Sequence, residues 1–172
     1  MKYHVVEIAR LIRAIFFESM TILEIKQKLQ ELLTPILERH NAFLVDIVVR
    51  PERGAKILQT FLDTDRGITI DECAEISREL GRALSQEGFL QGPYHLEVSS
   101  PGTDKPLRLL RQFHKNVGRR FKVTYRQAEG PTTTFGTLES VDENKLTFST
   151  DSGGSIRLEF AQIVEAKEEL PW

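Results

Sequence analysis

The sequence predicts an α+β chain: an N-terminal α/β sandwich in the order α-β-β-α-β, a three-stranded sheet with two helices, followed by a small all-β barrel. Three observations carry this. Two Thr-x-x-Glu capping boxes each open an apolar stripe at helical spacing. Runs rich in Val, Ile and Leu lie between and after the stripes. Beyond residue 118 the chain offers only short strands separated by turn residues. Its 172 residues suit one ordinary domain or two small ones. A chain of that size buries about 70% of its unfolded surface.

Residues 1–19 mix helical and strand preferences without a clean cap, so they read as an N-terminal extension of uncertain structure. Thr21-Ile-Leu-Glu24 is the first capping box, in which the Thr hydroxyl and the Glu carboxylate each accept from a backbone N–H that the helix leaves free. Ile22, Ile25, Leu29, Leu32 and Ile36 form the stripe behind it. Pro35 either kinks or splits this helix, because proline lacks the N–H of an internal hydrogen bond. Leu44 to Arg50 and Lys56 to Asp63 read as strands around a Pro51-Glu-Arg-Gly54 turn. Thr69-Ile-Asp-Glu72 is the second capping box, each such cap being worth about 1 kcal/mol. Ile70, Cys73, Ile76, Leu80 and Leu84 give its buried stripe, and Gly88 ends the helix. Tyr94, Leu96 and Val98 alternate with His95, Glu97 and Ser99 in a third strand.

The segment after that strand is the most informative. Pro101-Gly102 stops the strand and Pro106 keeps the chain stiff. A short helix follows Leu107, with Leu109, Leu110 and Phe113 on its apolar side. Strands are then expected near 119–126, 132–141, 145–151, 155–159 and 163–167, and Gly136 marks a place where the sheet can bend sharply. Five short strands suit a barrel, which leaves no long open edge. The expected units are an α/β domain over 20–100, a connector over 101–117 and a barrel domain over 118–172.

Charge points to function. The chain has 23 basic and 25 acidic side chains and a net charge of −2. Yet Lys105, Arg108, Arg111, Lys115, Arg119, Arg120, Lys122 and Arg126 fall in a segment with no acid, suggesting a surface held for a polyanion. Exposed charges act within about 8 Å at physiological salt, so placement outweighs the total. Phe113, Phe121 and Tyr125 are interleaved with these cations, as stacking surfaces are in RNA-binding proteins. The same aromatics also suit a core. Arg119, Arg120 and Lys122 are expected to carry much of the phosphate binding.

Little else carries chemistry. His4, His40, His95 and His114 do not fall at a helical ligand spacing, and there is no Cys-x-x-Cys, so no metal and no cofactor is expected. Asp63 and Asp65 could hold a hard cation, but a turn acid beside a helix start is the simpler reading. Ser99 and Ser100 with His95 and Asp104 supply the residue types of a hydrolase triad. In a strand, however, His95 and Ser99 stand roughly 13 Å apart, well beyond hydrogen-bond reach. No catalytic residue is assigned and the chain does not read as an enzyme. Cys73 reads as buried and inert, and a single cysteine forms no internal disulfide, which suits a cytoplasmic location. The apolar runs are too short to span a bilayer, and Glu7, Arg10 and Arg13 interrupt any signal-peptide core.

Leu96-Glu-Val-Ser-Ser-Pro-Gly102 followed by Asp104-Lys-Pro-Leu107 closely resembles the signature of the bacterial ribosome maturation factor RimP family. Phe61-Leu-Asp63, Gly67-Ile-Thr-Ile-Asp-Glu-Cys73 and Ile76-Ser-Arg78 resemble that family's strand-to-helix segment in order and spacing. The resemblance runs from about Ile22 to about Ala166. It implies a C-terminal barrel of the SH3-like or Sm-like type and a non-enzymatic factor in small-subunit maturation. The implied partners are small-subunit ribosomal RNA and a basic ribosomal protein near the decoding region. Ser99, Ser100, Pro101, Gly102, Asp104, Lys105, Pro106 and Leu107 form the connector motif. Thr103 and Lys105 depart from the family's usual Leu and Arg, which alters the apolar anchor and removes a two-pronged phosphate contact. Asp71, Glu72, Glu75 and Glu79 on the second helix suit a basic protein partner. A monomer is expected. The alternatives are a protein-binding adaptor with a peptide-recognising barrel and a hydrolase using the Ser99/Ser100 region.

Overall fold

The computed structural model describes residues 20–170, so the N-terminal extension lies outside the described residues. Helix α1 (Ile22–Arg39) begins at the Thr21/Glu24 capping box and runs through Pro35 as one helix. Strands β1 (Phe43–Glu52) and β2 (Ala55–Asp63) pair antiparallel, and β3 (Tyr94–Ser99) joins β2 in parallel after helix α2 (Ile70–Glu87). A parallel neighbour needs a crossover, and α2 supplies it. Gly88 ends α2 in the left-handed conformation (φ 61°), which glycine adopts without steric cost.

Both helices cover one face of this sheet. Ile25, Leu29, Leu33, Ile36 and Leu37 of α1 and Ile76, Leu80 and Leu84 of α2 meet Ile47, Val49, Leu58 and Leu62 in a single core. The buried stripe of α1 is rotated from the expected one: Leu33 and Leu37 are buried, whereas Ile22 is half exposed. Ile70, expected in the α2 stripe, is 88% exposed. It is the first residue of α2, and a helical side chain leans toward the N-terminus, here past the end of the helix and away from the sheet.

The second unit follows a one-turn helix α3 (Leu110–His114). Strands β4 (Arg120–Gln127), β5 (Gly130–Asp142), β6 (Lys145–Thr150), β7 (Ser155–Glu159) and β8 (Ile163–Glu168) form an antiparallel sheet in the order β7-β6-β5-β4-β8. A 3-10 turn, Phe160–Gln162, precedes β8. The inner face gathers Phe121, Val123, Tyr125, Leu138, Leu146, Phe148, Leu158 and Ala166 into a second core. At Gly136 the strands approach so closely that an added Cβ would lie 2.4 Å from the Ser149 carbonyl oxygen. Glycine is required there by this close approach.

The capping carboxylate of α2 has a measurable signature. Glu72 accepts from the Thr69 backbone N–H at 2.8 Å and pairs with Arg66. Chiefly through that backbone hydrogen bond, its pKa is lowered from 4.5 to about 2. A depressed folded-state value stabilises the fold above the unfolded value, and the contribution disappears as pH falls from about 4.5 toward about 2. Wild type should therefore melt above Glu72→Gln at pH 6, with the gap in Tm closing as pH drops to 2. A gap independent of pH would exclude this role for the carboxylate.

Candidate functional site

The two faces of the first sheet differ. Leu58 and Leu62 point toward the helices, whereas Ile57, Gln59, Phe61 and Asp63 alternate onto the opposite face. A bulge in β1 between Leu44 and Asp46 places Asp46 opposite Phe61 and Phe43 opposite Asp63. This rear face thus presents two aromatic rings and two carboxylates close together.

The first half of the basic segment docks there. Lys105 places its Nζ 3.1 Å from the centroid of the Phe61 ring, and Arg111 stacks its guanidinium 4.6 Å from the Phe43 centroid. Arg108 pairs with Asp46 at 3.0 Å. Arg111 donates through two nitrogens to the two carboxylate oxygens of Asp65, the Nη2 bond measuring 2.6 Å. The hydrogen bond from Arg111 holds the Asp65 carboxyl below its ordinary value. Lys115 donates to Asp63 and, at 3.2 Å, to the Thr64 carbonyl. Gln112, fully buried, accepts from the backbone N–H groups of Arg108 and Leu109 at 2.9 and 3.1 Å, fixing the start of α3.

These contacts revise the expectation of a continuous unpaired basic surface. Lys105, Arg108, Arg111 and Lys115 bind the connector and α3 to the first sheet. Arg119 pairs with Glu168 at 2.6 Å, and Arg120 pairs with Asp151 and Glu169. Only Lys122 and Arg126 of the eight lack both a carboxylate and an aromatic partner among the described residues. The physical reason is that an acid-free stretch of sequence is not acid-free in space. Asp63 and Asp65 arrive from a strand and a turn about fifty residues earlier, and Asp46 from a strand about sixty residues earlier. Asp63 and Asp65 accordingly serve as partners for Lys115 and Arg111, and among the described residues no cluster of ligands suits a metal.

The interleaved aromatics are core. Phe113 and Phe121 are fully buried and stacked with centroids 6.0 Å apart, and Tyr125 is 7% exposed. Among the described residues, the exposed aromatic is one the sequence reading missed. Phe135 of β5 lies directly opposite Lys122 of β4, which in turn lies opposite Lys167 of β8. Lys167, Lys122 and Phe135 therefore form one row across three strands on the outer face. Phe135 was legible in part, because alternation from Gly136 and Leu138 places it outward. Lys167 was not, because its position depends on cross-strand register.

The acids assigned to protein binding divide in two. Glu72 is occupied by the Thr69 cap and Arg66, and Glu79 by Arg39 and His40. Hydrogen bonds from His40, then Arg39, hold Glu79 below its ordinary value. Asp71 and Glu75 are exposed, with His40 4.0 Å from Glu75. Cys73 is buried on the inner side of α2, and burial pushes its thiol pKa up.

The connector motif edges a cleft of about 270 Å³. Ser100, Pro101 and Gly102 form one wall, while Asp63, Lys115 and Arg119 contribute charge. Gly102 has φ 70°, a conformation that favours glycine. Leu107 donates its backbone N–H to the Ala166 carbonyl at 2.8 Å, fastening the connector to the outer edge of β8. Ser99 stands with His95 and Glu97 on the rear-facing side of β3.

No helix among the described residues is long and apolar enough to cross a membrane. Residues 32–104, which include β1, β2, α2, β3 and the Ser-Ser-Pro-Gly motif, match the family model of the RimP N-terminal domain, and this match supports the RimP family of ribosome maturation factors for that part of the chain.

Proposed function

We propose that the chain is a non-enzymatic assembly factor of the small ribosomal subunit, binding ribosomal RNA through the outer face of its second sheet. The observation that carries this reading is the set of second-sheet cations left after internal pairing. Lys122, Arg126 and Lys167 have no carboxylate partner among the described residues, and all three belong to adjacent strands β4 and β8. A polyanion is the complementary partner. The exposed acids Asp71 and Glu75 on α2 suit a basic ribosomal protein near the decoding region. The factor acts as a cytoplasmic monomer, with an α/β domain over 20–100, a connector over 101–117 and a barrel domain over 118–172. The barrel is of the SH3-like type: a meander whose fifth strand, β8, returns beside the first, β4, after a 3-10 turn is the strand order of such barrels.

Cosedimentation with immature small subunits at two salt concentrations tests the reading. Lys122→Glu/Arg126→Glu should weaken binding and reduce the slope of log affinity against log salt by about 1.4–1.8, at roughly 0.7–0.9 per phosphate contact. Unchanged binding by this variant would refute it. Binding that survives nuclease treatment would favour the protein-binding adaptor. Arg119 and Arg120 are poorer probes, since reversing either breaks an internal ion pair as well.

A further inference from the structure

The row formed by Lys167, Lys122 and Phe135 places two like charges directly opposite one another beside an exposed ring. Opposed side chains on neighbouring strands stand about 4.5–5.5 Å apart at Cβ, and like charges in that relation oppose folding. Lys122 and Lys167 are Cα partners in the β4–β8 ladder, and neither has a carboxylate partner among the described residues. Glu165, opposite Thr124 on the same face, forms no ion pair with either. The adjacent cation is treated differently: Arg120 is neutralised by Asp151 and Glu169 and lies 5.9 Å from the Phe135 centroid. Phe135 is 38% exposed, in a strand whose outward neighbour Thr133 is polar.

From this row, and resting on the RNA-binding reading above, we propose that the second sheet carries a nucleotide subsite for single-stranded RNA. Lys122 and Lys167 share one phosphate, which removes their mutual repulsion, and the adjoining base stacks on Phe135. An unpaired base is required, because in a duplex the base faces are covered by their neighbours and only edges and backbone are offered. Two lysines alone would accept either form of RNA. The ring beside them is what selects the single strand.

The test uses the full chain and two fluorescent probes, a single-stranded RNA decamer and a ten-base-pair RNA duplex, followed by anisotropy across a salt series. Phe135→Leu should weaken decamer binding about tenfold, the loss of one base–aromatic stack, with the salt slope unchanged. Phe135→Trp should retain or improve it, and duplex affinity should be indifferent to both. Lys122→Glu should weaken both probes and lower the salt slope by at least about 0.7. The exposure of Phe135 keeps these variants folded, which thermal melting verifies. Full decamer affinity in Phe135→Leu overturns the subsite, while a loss in Lys122→Glu would leave the phosphate-binding reading standing. Indifference of both probes to both substitutions overturns the two together. Binding of the duplex alone, or capture of an acidic peptide in place of RNA, also overturns the subsite.

Discussion

Phe113→Ala should destabilise the five-stranded unit by about 3–5 kcal/mol, the usual cost of deleting a buried phenyl ring. Phe113 is wholly buried, stacked on Phe121 and edge-on to Phe160 with centroids 5.9 Å apart. Relaxation cannot readily fill the space, because Phe121 is itself held edge-on against Phe148. The ring also anchors α3, which at five residues has no helical stability of its own. Loss of the anchor should therefore loosen Arg111 and Lys115 from the first sheet. Urea unfolding followed by circular dichroism would give the free energy. Loss of less than 1 kcal/mol would mean that the ring is not the anchor its burial indicates.

Asp63→Ala should cost about 2–3 kcal/mol. Asp63 is 4% exposed, and its carboxylate meets Lys115, with Gln112 3.4 Å away. Removing one member of a buried pair typically costs about 3–5 kcal/mol, because the other charge is left desolvated. Here the side chain of Lys115 is 21% exposed and can partly rehydrate, which lowers the figure. Replacing both charges removes the stranded cation, so Asp63→Ala/Lys115→Met should recover at least 1 kcal/mol relative to the sum of the single changes. Strict additivity in that double-mutant cycle would show that the two groups do not act as a pair. Small-angle scattering on Asp63→Ala should also show a larger radius of gyration, since this contact joins the two sheets.

The elements were legible in the sequence where local rules dominate. Both Thr-x-x-Glu boxes begin helices where expected, Gly88 ends α2, and alternation in Tyr94–Ser99 divides core from rear face correctly. The destination of the cations was not legible. It depends on a bulge at Leu44/Asp46 and on partners about fifty residues distant, neither of which leaves a periodic trace. The sharing of Phe113 and Phe121 between a basic segment and a core follows from the same limitation. Charge along the chain reports composition, whereas burial is decided by which strands become neighbours. Lys167 shows the converse, since it became part of a candidate site only through its register with Lys122.

The single turn of α3 also bears on how the chain can be divided. Leu107, Leu110 and Phe113 pack into the second core although they precede its first strand, and Leu107 is bonded to β8. A recombinant fragment trimmed to begin at Gly118 would have a hole where these side chains sit and would tend to self-associate through the apolar opening. Cutting near Gly102 instead retains the plug, and leaves Arg111 and Lys115 as an unused handle by which the separated halves could find each other again.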